Sequence, residues 1–556
     1  MKNKKTLHLA IALAISSMPL FGVAEAARGS MYGGESVGDD VTIEASANAY
    51  PSLVGHAFGI YTNVTNSATV TSAGNRLTIT TTGEAGDGIR SNPSGNSDWQ
   101  NATGTINIGN DLTITVSGNS ADGLNINGST VLNIGDNATI NTLYNGELKY
   151  SNGDTSDGAH AVRANFHATI NIGDGLTAGT LGESSHAVYA AQGRSTTNPT
   201  GGSKINIGKG AVLSTAGDGS HGVAAYADTS AKGSVANGAV EIGAGSTIAT
   251  AGGGSHGVFA NMTGSVLSLD DNVGITTEGD ASHGLLAQRG VIEAGDGLNI
   301  SVEGSGSHGA YVNAATGSIE FLGGATIDNN DNDGYAIYAD KGTITGTAGN
   351  STFNITGNMY ADNSGSIDLD MDNNSVFTGS TALANSGTIN LNLKNNSYWH
   401  VTSSSEVSSL HVSGGSMVNL SHEAGMNTVV TVDDLSGSGG VFKFNTELDS
   451  EANGDKLVIN SSETGSTHYV HVNDLSLING EVSGEKKLHL ITDNSSNASF
   501  VGEYMDTGGL WDVLPTVERG DTLGESANEW YLTKIEKKEN GNTETINDGF
   551  ASDYSL

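Results

Sequence analysis

The residues of this sequence that could do chemistry as a group are histidines, because imidazole binds metal ions and titrates near neutral pH. A short phrase of the type Ser-His-Gly recurs along residues 56–335, and the residues at its second position form a column. The column consists of His56, Asp87, Asp122, His160, His186, His221, His256, His283, His308 and Tyr335. Its members are about 25 to 38 residues apart. They can act together only if successive repeats are stacked on one another.

Two interpretations of this column are open. Imidazoles about 5 Å apart could share a cation between neighbouring turns. That hypothesis makes a metal-binding ladder of His160, His186, His221, His256, His283 and His308. Alternatively, each ring hydrogen-bonds the neighbouring backbone and stacks on its copies. Zinc ligands converge from several directions whereas a ladder offers one line, so the sequence favours the structural interpretation, without metal or cofactor. If the column faced solvent, acidification would place like charges side by side and loosen the fold.

Three short motifs match functional patterns only in part. Residues 253–257 have the Gly-x-Ser-x-Gly pattern of a nucleophile elbow, but that elbow requires a strand–turn–helix context. Residues 328–334 resemble a calcium loop, although the Gly and Glu of an EF-hand are not at the required positions. Residues 519–521 form an Arg-Gly-Asp tripeptide, which also occurs by chance. None of these motifs predicts a catalytic residue.

Composition excludes several classes of function. The 556 residues include 60 acidic and 23 basic side chains, which gives a formal net charge of −37. Nucleic-acid binding depends on Lys and Arg that neutralise phosphates, so no nucleic-acid partner is expected. The absence of Cys removes disulfides, thiol catalysis and Cys-ligated zinc. The 79 Gly, with many Asn, Ser and Thr, are typical of a β structure with many turns.

The elements that carry the column are three short strands in a fixed order. Each strand phrase alternates apolar and polar residues with a period of two, which is typical of a half-buried strand. The first phrase ends in Gly and occurs at 106–109, 132–135, 170–173, 205–208 and 240–243. The second phrase follows within a few residues, as at 112–116 and 298–302. The third phrase contains the column residue.

A repeat of three short strands joined by tight turns predicts an all-β fold, a parallel β-helix with three strands per turn. We expect it to form a stalk over residues 27–434, with stacked Ile, Val and Leu inside and strands about 4.8 Å apart. The longer repeats carry extra residues after the third phrase, at 91–103, 192–203 and 228–238. Inserts are therefore expected to project from one edge. From residue 364 the period loosens, which predicts further turns with degraded corners.

Residues 1–26 have the three parts of a secretory signal peptide. Lys2, Lys4 and Lys5 precede an apolar stretch at 7–21, and Ala-Glu-Ala at 24–26 is a small-residue cleavage motif. We therefore expect Sec-dependent export and cleavage after Ala26. The apolar stretch is shorter than the roughly 20 residues that span a bilayer, which argues against a membrane helix.

The C-terminal part of the sequence contains an ordered series of motifs. A Gly-Ser-Gly-rich segment leading to two Phe residues lies at 435–444, Gly-Asp-Lys-Leu-Val-Ile at 454–459, and Glu-Trp-Tyr-Leu at 529–532. The series resembles the autochaperone module of pertactin-like autotransporter passengers. The resemblance implies an autochaperone-like β cap over residues 435–536. The core of that cap would contain Phe442, Phe444, Asp455, Leu457, Phe500, Trp530 and Leu532.

This resemblance implies a passenger of type V secretion, exported by a diderm bacterium to the cell surface, the outer membrane or the medium. The C-terminal module would aid folding after outer-membrane translocation and cap the open end of the β-helix. Residues 537–556 form a polar tail, and the translocator barrel of the family, which needs at least about eight alternating strands, is absent from this sequence. Three alternatives are open: the chain is truncated, the barrel lies in a separate reading frame, or the passenger is released by another route. If a barrel is encoded elsewhere, that barrel and its assembly machinery are expected partners.

Two classes of function fit a β-helical passenger. The first is a virulence-associated adhesin or antigen that presents loops on a rigid stalk to a host-surface or matrix receptor, to a glycan or to a second copy of itself. The second is a polysaccharide-active lyase or hydrolase, which needs carboxylates and basic residues that converge in one groove. No such cluster interrupts the repeats. Many similar turns suit binding through avidity, so we expect an adhesin and not an enzyme.

Overall fold

The structure is a computed structural model that describes fourteen stretches of the chain. These are residues 28–46, 58–64, 69–83, 85–93, 103–144, 158–192, 202–227, 238–261, 263–329, 333–420, 427–447, 454–474, 487–506 and 511–539. The predicted signal peptide with its cleavage site at Ala26, the column residue His56, and residues 540–556 of the predicted tail lie outside the described residues.

The chain divides into two compact units, Met1–Thr345 and Gly346–Leu556. Both are built from short β-strands, and the single helix among the described residues is a 3-10 turn at Gly520–Leu523. No helix in the described part of the chain is long and apolar enough to cross a membrane.

The strands of the first unit are two to six residues long. They are β1 (Met31–Tyr32), β2 (Ser36–Val37), β3 (Thr42–Ala45), β4 (Ile60–Val64), β5 (Thr69–Ala73), β6 (Thr78–Thr81), β7 (Ile89–Pro93), β8 (Thr103–Ile108), β9 (Thr113–Val116), β10 (Leu124–Ile126), β11 (Ser129–Ile134), β12 (Thr139–Thr142), β13 (Val162–Ala164), β14 (Thr169–Ile172), β15 (Thr177–Thr180), β16 (Val188–Gln192), β17 (Lys204–Ile207), β18 (Val212–Thr215), β19 (Val223–Ala227), β20 (Ala239–Ile242), β21 (Thr247–Thr250), β22 (Val258–Ala260), β23 (Val266–Leu269), β24 (Gly274–Thr277), β25 (Leu285–Ala287), β26 (Val291–Ala294), β27 (Leu298–Val302), β28 (Ala310–Val312), β29 (Ser318–Phe321), β30 (Ala325–Asn329), β31 (Ile337–Asp340) and β32 (Thr343–Thr347).

In the first unit three consecutive strands make one turn, and each strand pairs in parallel with the strand three positions later. The first phrase of the sequence forms a first face (β8, β11, β14 and their successors), the second phrase a second face (β9, β12, β15), and the third phrase a third face (β10, β13, β16). Leu132 is aligned with Ile106 on one side and Ile170 on the other. The predicted parallel β-helix with three strands per turn is confirmed.

Alternation of side chains explains the interior. On the first face Ile106, Leu132 and Ile170 are fully buried, whereas the Asn residues between them point outward. One turn later the same positions are again apolar, so the interior is a stack of Ile, Leu and Val. A one-residue slip would turn every apolar side chain outward, and this fixes the register.

A glycine follows four of the six column histidines, from His221 to His308, whereas alanine follows His160 and His186. A Cβ atom on Gly257 would lie 2.4 Å from Cγ2 of Ile275 and 2.7 Å from the carbonyl oxygen of Gly284. Both distances are too short for a carbon atom, so close packing between turns requires Gly at residue 257.

The second unit has longer strands toward its C-terminus. They are β33 (Asn354–Thr356), β34 (Met359–Asp362), β35 (Ser366–Met371), β36 (Val376–Thr378), β37 (Thr381–Leu383), β38 (Thr388–Leu393), β39 (Tyr398–His400), β40 (Ser405–Val412), β41 (Met417–Asn419), β42 (Val429–Ser436), β43 (Val441–Thr446), β44 (Lys456–Ser462), β45 (Thr467–Asp474), β46 (Leu488–Asp493), β47 (Ser499–Gly502), β48 (Met505–Asp506), β49 (Trp511–Arg519) and β50 (Glu529–Glu539).

The second unit begins with three strands per turn and changes to two. Parallel pairs join β33 to β36, β34 to β37 and β35 to β38. The next strand, β40, covers two faces. Its start contacts β37, where Thr381 donates to Ser405 and to the carbonyl of Glu406, and its end pairs with β38. From β40 onward each turn has two strands, a change that the sequence repeat did not predict.

The corners of the second unit are regular, so the expectation of degraded corners is wrong. Four corners consist of two consecutive left-handed residues other than Gly, and a fifth uses the pair Gly414–Gly415. The positive-φ pairs are Asn363–Ser364, Asn373–Asn374, Asn385–Ser386 and Asn395–Asn396. Asn tolerates this conformation because its short amide forms local hydrogen bonds. The Nδ2 group of Asn385, for example, donates to Oδ1 of Asp362 one turn earlier.

The compositional change near residue 435 is not accompanied by a change in strand direction. Parallel pairing continues through β42, β44 and β46 on one side and through β43, β45 and β47 on the other. Antiparallel pairing begins only at the end, where β50 pairs with β46 and β49, and β48 pairs with β49. The described C-terminal strands thus close their own end of the coil with a hairpin.

Candidate functional site

The column predicted from the sequence lies at the start of the third face and is held by one repeated hydrogen bond. The backbone N–H of each residue donates to Nδ1 of the histidine one turn earlier, at 2.9 to 3.1 Å. The donors are His186, His221, His256, His283, His308 and Tyr335, and the acceptors are His160, His186, His221, His256, His283 and His308. Because Nδ1 accepts, the proton of each neutral ring is on Nε2.

The six rings form a continuous stack. Successive ring centroids are 4.7 to 4.9 Å apart, and from His186 onward the rings are within 8° of parallel. Five of the six residues are at most 9% exposed, and His256 is partly exposed. The column is therefore buried. The predicted loosening of the fold by like charges at acid pH required a column that faces solvent, and this requirement is not met.

Burial sets the protonation state of the rings. Removal from water lowers the pKa of His160, His186, His221, His256 and His283 well below 6.5, and charge on neighbouring rings lowers it further. The rings are neutral at pH 7. Their chemistry is that of hydrogen-bond acceptors inside the fold.

The stacking geometry does not suit a shared metal ion. Parallel rings 4.8 Å apart hold equivalent nitrogens at about the same separation, whereas two nitrogens bound to one zinc ion are at most about 4.2 Å apart. Every Nδ1 from His160 to His308 is already occupied by a backbone N–H. Among the described residues no group of three His, Asp or Glu side chains is placed to hold a metal ion.

Serine and threonine ladders, which sequence reasoning missed, run beside the histidines. The Oγ atom of Ser255 accepts the N–H of Ser220 at 2.9 Å and donates to the carbonyl of Gly217 at 3.0 Å. Thr250 donates to the carbonyl of Ser255 at 2.6 Å. The repeated spacing of Thr five residues before Ser was the available signal. Ser255, the serine of the elbow-like motif, is fully buried and has both of its bonding roles filled. It is a corner residue.

Aromatic side chains on the third face cover the column from outside. Tyr189 contacts the rings of His160 and His186 at 4.5 and 5.0 Å, and Phe259 contacts His221 at 4.7 Å. Tyr311 and Tyr338 repeat these contacts at His308, at 4.9 and 5.2 Å. We call Tyr189, Ala224, Phe259, Leu286, Tyr311 and Tyr338 the outer row; they are aligned on successive strands.

Aspartates replace histidine in the earlier turns and keep the same bond. Oδ1 of Asp87 accepts the N–H of Asp122, and Oδ1 of Asp122 accepts the N–H of His160, both at 2.8 Å. Arg90 is 3.0 Å from Asp87, and Arg163 is 3.6 Å from Asp122. Burial raises the pKa of both carboxyl groups, and the guanidinium groups oppose this rise.

The two other motifs do not form sites in the described residues. Asp328 lies in β30, and residues 330–332 of the calcium-like segment lie outside the described residues. In the Arg-Gly-Asp tripeptide, Arg519 ends β49 while Asp521 lies in the 3-10 turn. The Nε atom of Arg519 is 3.5 Å from Oδ1 of Asp521. The two charged groups thus face each other and are not presented outward as a pair.

The seven residues predicted for the C-terminal core are all buried, with Trp530 the most exposed at 9%. The Phe500 ring contacts Phe442 at 6.3 Å and Trp530 at 5.5 Å. Asp455 is fully buried and joins two segments: its Oδ1 accepts the N–H of Thr428 at 3.0 Å, and its Oδ2 accepts the N–H of Asn445 at 2.7 Å.

A buried histidine that sequence reasoning missed lies within this aromatic core. His468 is fully buried between Phe442 and Phe500, at 5.5 and 6.0 Å, and neither ring nitrogen has a hydrogen-bond partner. Desolvation lowers the pKa of His468 to about 4. The ring is therefore a neutral polar group in an apolar site.

Replacing this ring is expected to stabilise the second unit. His468→Leu should raise the free energy of unfolding by about 1 to 2 kcal/mol, because it removes two unpaired polar atoms from the core. Urea unfolding followed by tryptophan fluorescence measures the change. His471→Leu is the matched control, since Nε2 of His471 bonds to Glu503 at 3.1 Å, and we expect no gain there. A destabilised His468→Leu protein would contradict this account.

Comparisons with known proteins bear on the C-terminal part of the chain. Residues 407–533 match the family model described as Pertactin. No curated protein matches the sequence. Among solved structures, the crystal structure of the autotransporter UpaB from E. coli strain CFT073 aligns over 92% of this chain and 100% of its own, at 14% identity and a TM-score of 0.31. At that TM-score the architecture rests on the strand pairing described above. Residues 407–533 of this chain are thus similar to the Pertactin family.

Proposed function

We propose that this passenger is a cell-surface adhesin that binds through segments carried on its β-helical coil. The supporting observation is the placement of the long connections. The segments that join β16 to β17 and β19 to β20 begin on paired strands and end on paired strands. Both connections therefore attach at the same corner of successive turns, and a partner at that corner would meet two of them at once. Such repetition favours avidity.

The partners that we propose are a host-surface or matrix receptor, a glycan, or a second copy of the chain. A net charge of −37 favours partners with basic surfaces and predicts weaker binding at high salt. We also propose that residues 435–536 aid folding after translocation. The supporting observation is the buried aromatic core closed by the β49–β50 hairpin, since an uncovered β-helix end exposes unpaired strand edges.

The test is binding of the purified chain to arrays of matrix proteins and glycans at two salt concentrations. Replacing residues 193–201 and 228–237 by short connections, like the one between β22 and β23, is expected to lower binding at least about tenfold through lost avidity. The same substitution should leave the circular dichroism spectrum unchanged. Binding that survives both replacements would place the contact elsewhere. Cleavage of a polysaccharide on the array would overturn the adhesin proposal in favour of an enzyme.

A further inference from the structure

The hydrogen bond that holds the column is incompatible with a protonated ring. Each Nδ1 between His160 and His308 accepts a backbone N–H. A proton on Nδ1 would turn that acceptor into a donor facing another donor. Because Nε2 already carries the proton of the neutral ring, the next proton can bind only at Nδ1. Protonation therefore requires the corner to open.

The surroundings of the column offer little compensation for positive charge. Neighbouring rings are 4.7 to 4.9 Å away, so a second charge would repel the first. At the N-terminal end the column meets Arg163, Asp122, Asp87 and Arg90. Along its length it faces the tyrosines of the outer row, and at its C-terminal end it meets Tyr335. Burial and the negative charge of Asp340 raise the pKa of Tyr311, which belongs to that row.

We propose that the histidine column is an acid-operated latch. Protonation at Nδ1 releases the backbone N–H of the next turn, opens the third-face corners from His160 to Tyr335, and uncovers the outer row. This inference concerns the conformation of the first unit and does not depend on the adhesin proposal.

The opening is local because no histidine among the described residues accepts a backbone N–H in the other ladders of the first unit. The acceptors there include carboxylates, such as Asp174 between the first and second faces and Asp218 and Asp280 at the corner before the column. Ser and Thr hydroxyls bond beside the column, as in the contact of Ser255 with Ser220, and they keep their charge state at any pH near neutral. Parallel pairing of the first and second faces uses backbone groups alone. The outer row, by contrast, rests on the imidazole rings: Phe259 contacts His221 and His256 at 4.7 and 5.3 Å. Displaced rings would leave these aromatic side chains exposed.

Hydrogen–deuterium exchange of the full chain tests the latch at pH 7.5 and pH 5.0, with protection corrected for the intrinsic pH dependence of exchange. The column amides of His256, His283 and His308 bond to the rings of His221, His256 and His283. Peptides that cover these amides should lose protection about 30-fold for an opening that exposes one ring, since each pH unit below 6.5 is worth about tenfold. The peptide covering β38 in the second unit is the internal reference and should keep its protection. Binding of a hydrophobic dye should rise at pH 5.0.

The matched variant replaces His221, His256 and His283 by Asn. The Oδ1 atom of Asn can accept the same N–H, as Oδ1 of Asp122 already does for His160, but it does not titrate. We expect the acid-dependent loss of protection to fall below about threefold in this variant. Equal losses in both proteins, or unchanged protection in the native chain, would overturn the proposal. If the triple variant does not fold, His256→Asn alone applies the same comparison to the single peptide that covers residues 280–287, because the amide of His283 bonds to the ring of His256.

Discussion

Acidification from pH 7.5 to pH 5 is expected to lower the free energy of unfolding of the first unit, by at most about 2 kcal/mol for each buried column histidine. Five buried histidines of the column have pKa values well below 6.5 in the folded chain, whereas the unfolded chain titrates near 6.5. Below pH 6.5 the unfolded chain therefore binds more protons. Stability is complete above that pH and is lost as the pH falls toward the folded values.

Two carboxyl groups act in the opposite direction. Burial raises the pKa of Asp87 and Asp122, so the folded chain binds more protons at these sites and acid favours it. Between pH 6.5 and 5 one titrating group changes the free energy of unfolding by at most about 2 kcal/mol, and five rings act against two carboxyl groups. The histidines outnumber the carboxyl groups, so acid lowers the free energy of unfolding.

Urea unfolding at half-unit pH steps, followed by far-UV circular dichroism, measures this slope. Native proteins are stable by only about 5 to 15 kcal/mol, so the urea midpoint of the first unit should fall clearly between pH 6.5 and pH 5, while without urea the first and second faces stay paired. The triple variant with Asn at residues 221, 256 and 283 should show less than half of the native slope. A free energy of unfolding that does not change between pH 8 and pH 5 would contradict the buried, neutral state of the rings.

Asp455→Ala is expected to destabilise the second unit by about 3 to 5 kcal/mol. The carboxylate accepts the N–H groups of Thr428 and Asn445, and its own N–H donates to the carbonyl of Asn445 at 3.0 Å. Alanine would leave two buried N–H groups without an acceptor. Each such group costs about 1 to 3 kcal/mol. The thermal midpoint and the urea midpoint should both fall.

Two further substitutions serve as comparisons for the loss of stability in Asp455→Ala. Asp455→Asn keeps one acceptor oxygen and should lose only about half as much stability. Asp433→Ala is the matched exposed control: Asp433 lies on β42, accepts from Asn460 at the surface, and should change stability by less than about 0.5 kcal/mol. An Asp455→Ala protein as stable as the Asp433→Ala control would show that the two hydrogen bonds do not hold this end of the coil.

Much of the first unit could be predicted from the sequence because a period of two and a repeated corner fix both face and register. The alignment of Leu132 with Ile106 and Ile170 follows directly from the matching first phrases. The column was found in the same way, since a third phrase that stacks on its predecessor must align its second residue. Local pattern and tertiary pairing agree wherever the repeat is strict.

Burial and bonding partners could not be predicted in the same way. Both faces of β22 are buried, with Val258, Phe259 and Ala260 at most 7% exposed, and alternation predicts a half-exposed strand. Nothing in the sequence near Asp455 indicates that its two acceptors serve residues that lie 27 positions before and 10 positions before it. The sequence repeat also does not encode the fusion of two faces in β40, where the alternation of buried and exposed residues changes phase within one strand.

The hydrogen bonds of the column all run in one direction, from each amide to the ring of the preceding turn. Amides and acceptors are therefore interchangeable between turns: the ring of His221, which now accepts the amide of His256, could accept in the same way the amide of His283, which now bonds to His256. A chain of this architecture can therefore gain or lose one complete turn of the β-helix by duplication or excision of its residues. The remaining strands keep their register with the next turn. Loss of a single residue within a strand has no such neutral outcome, because all later side chains would change sides.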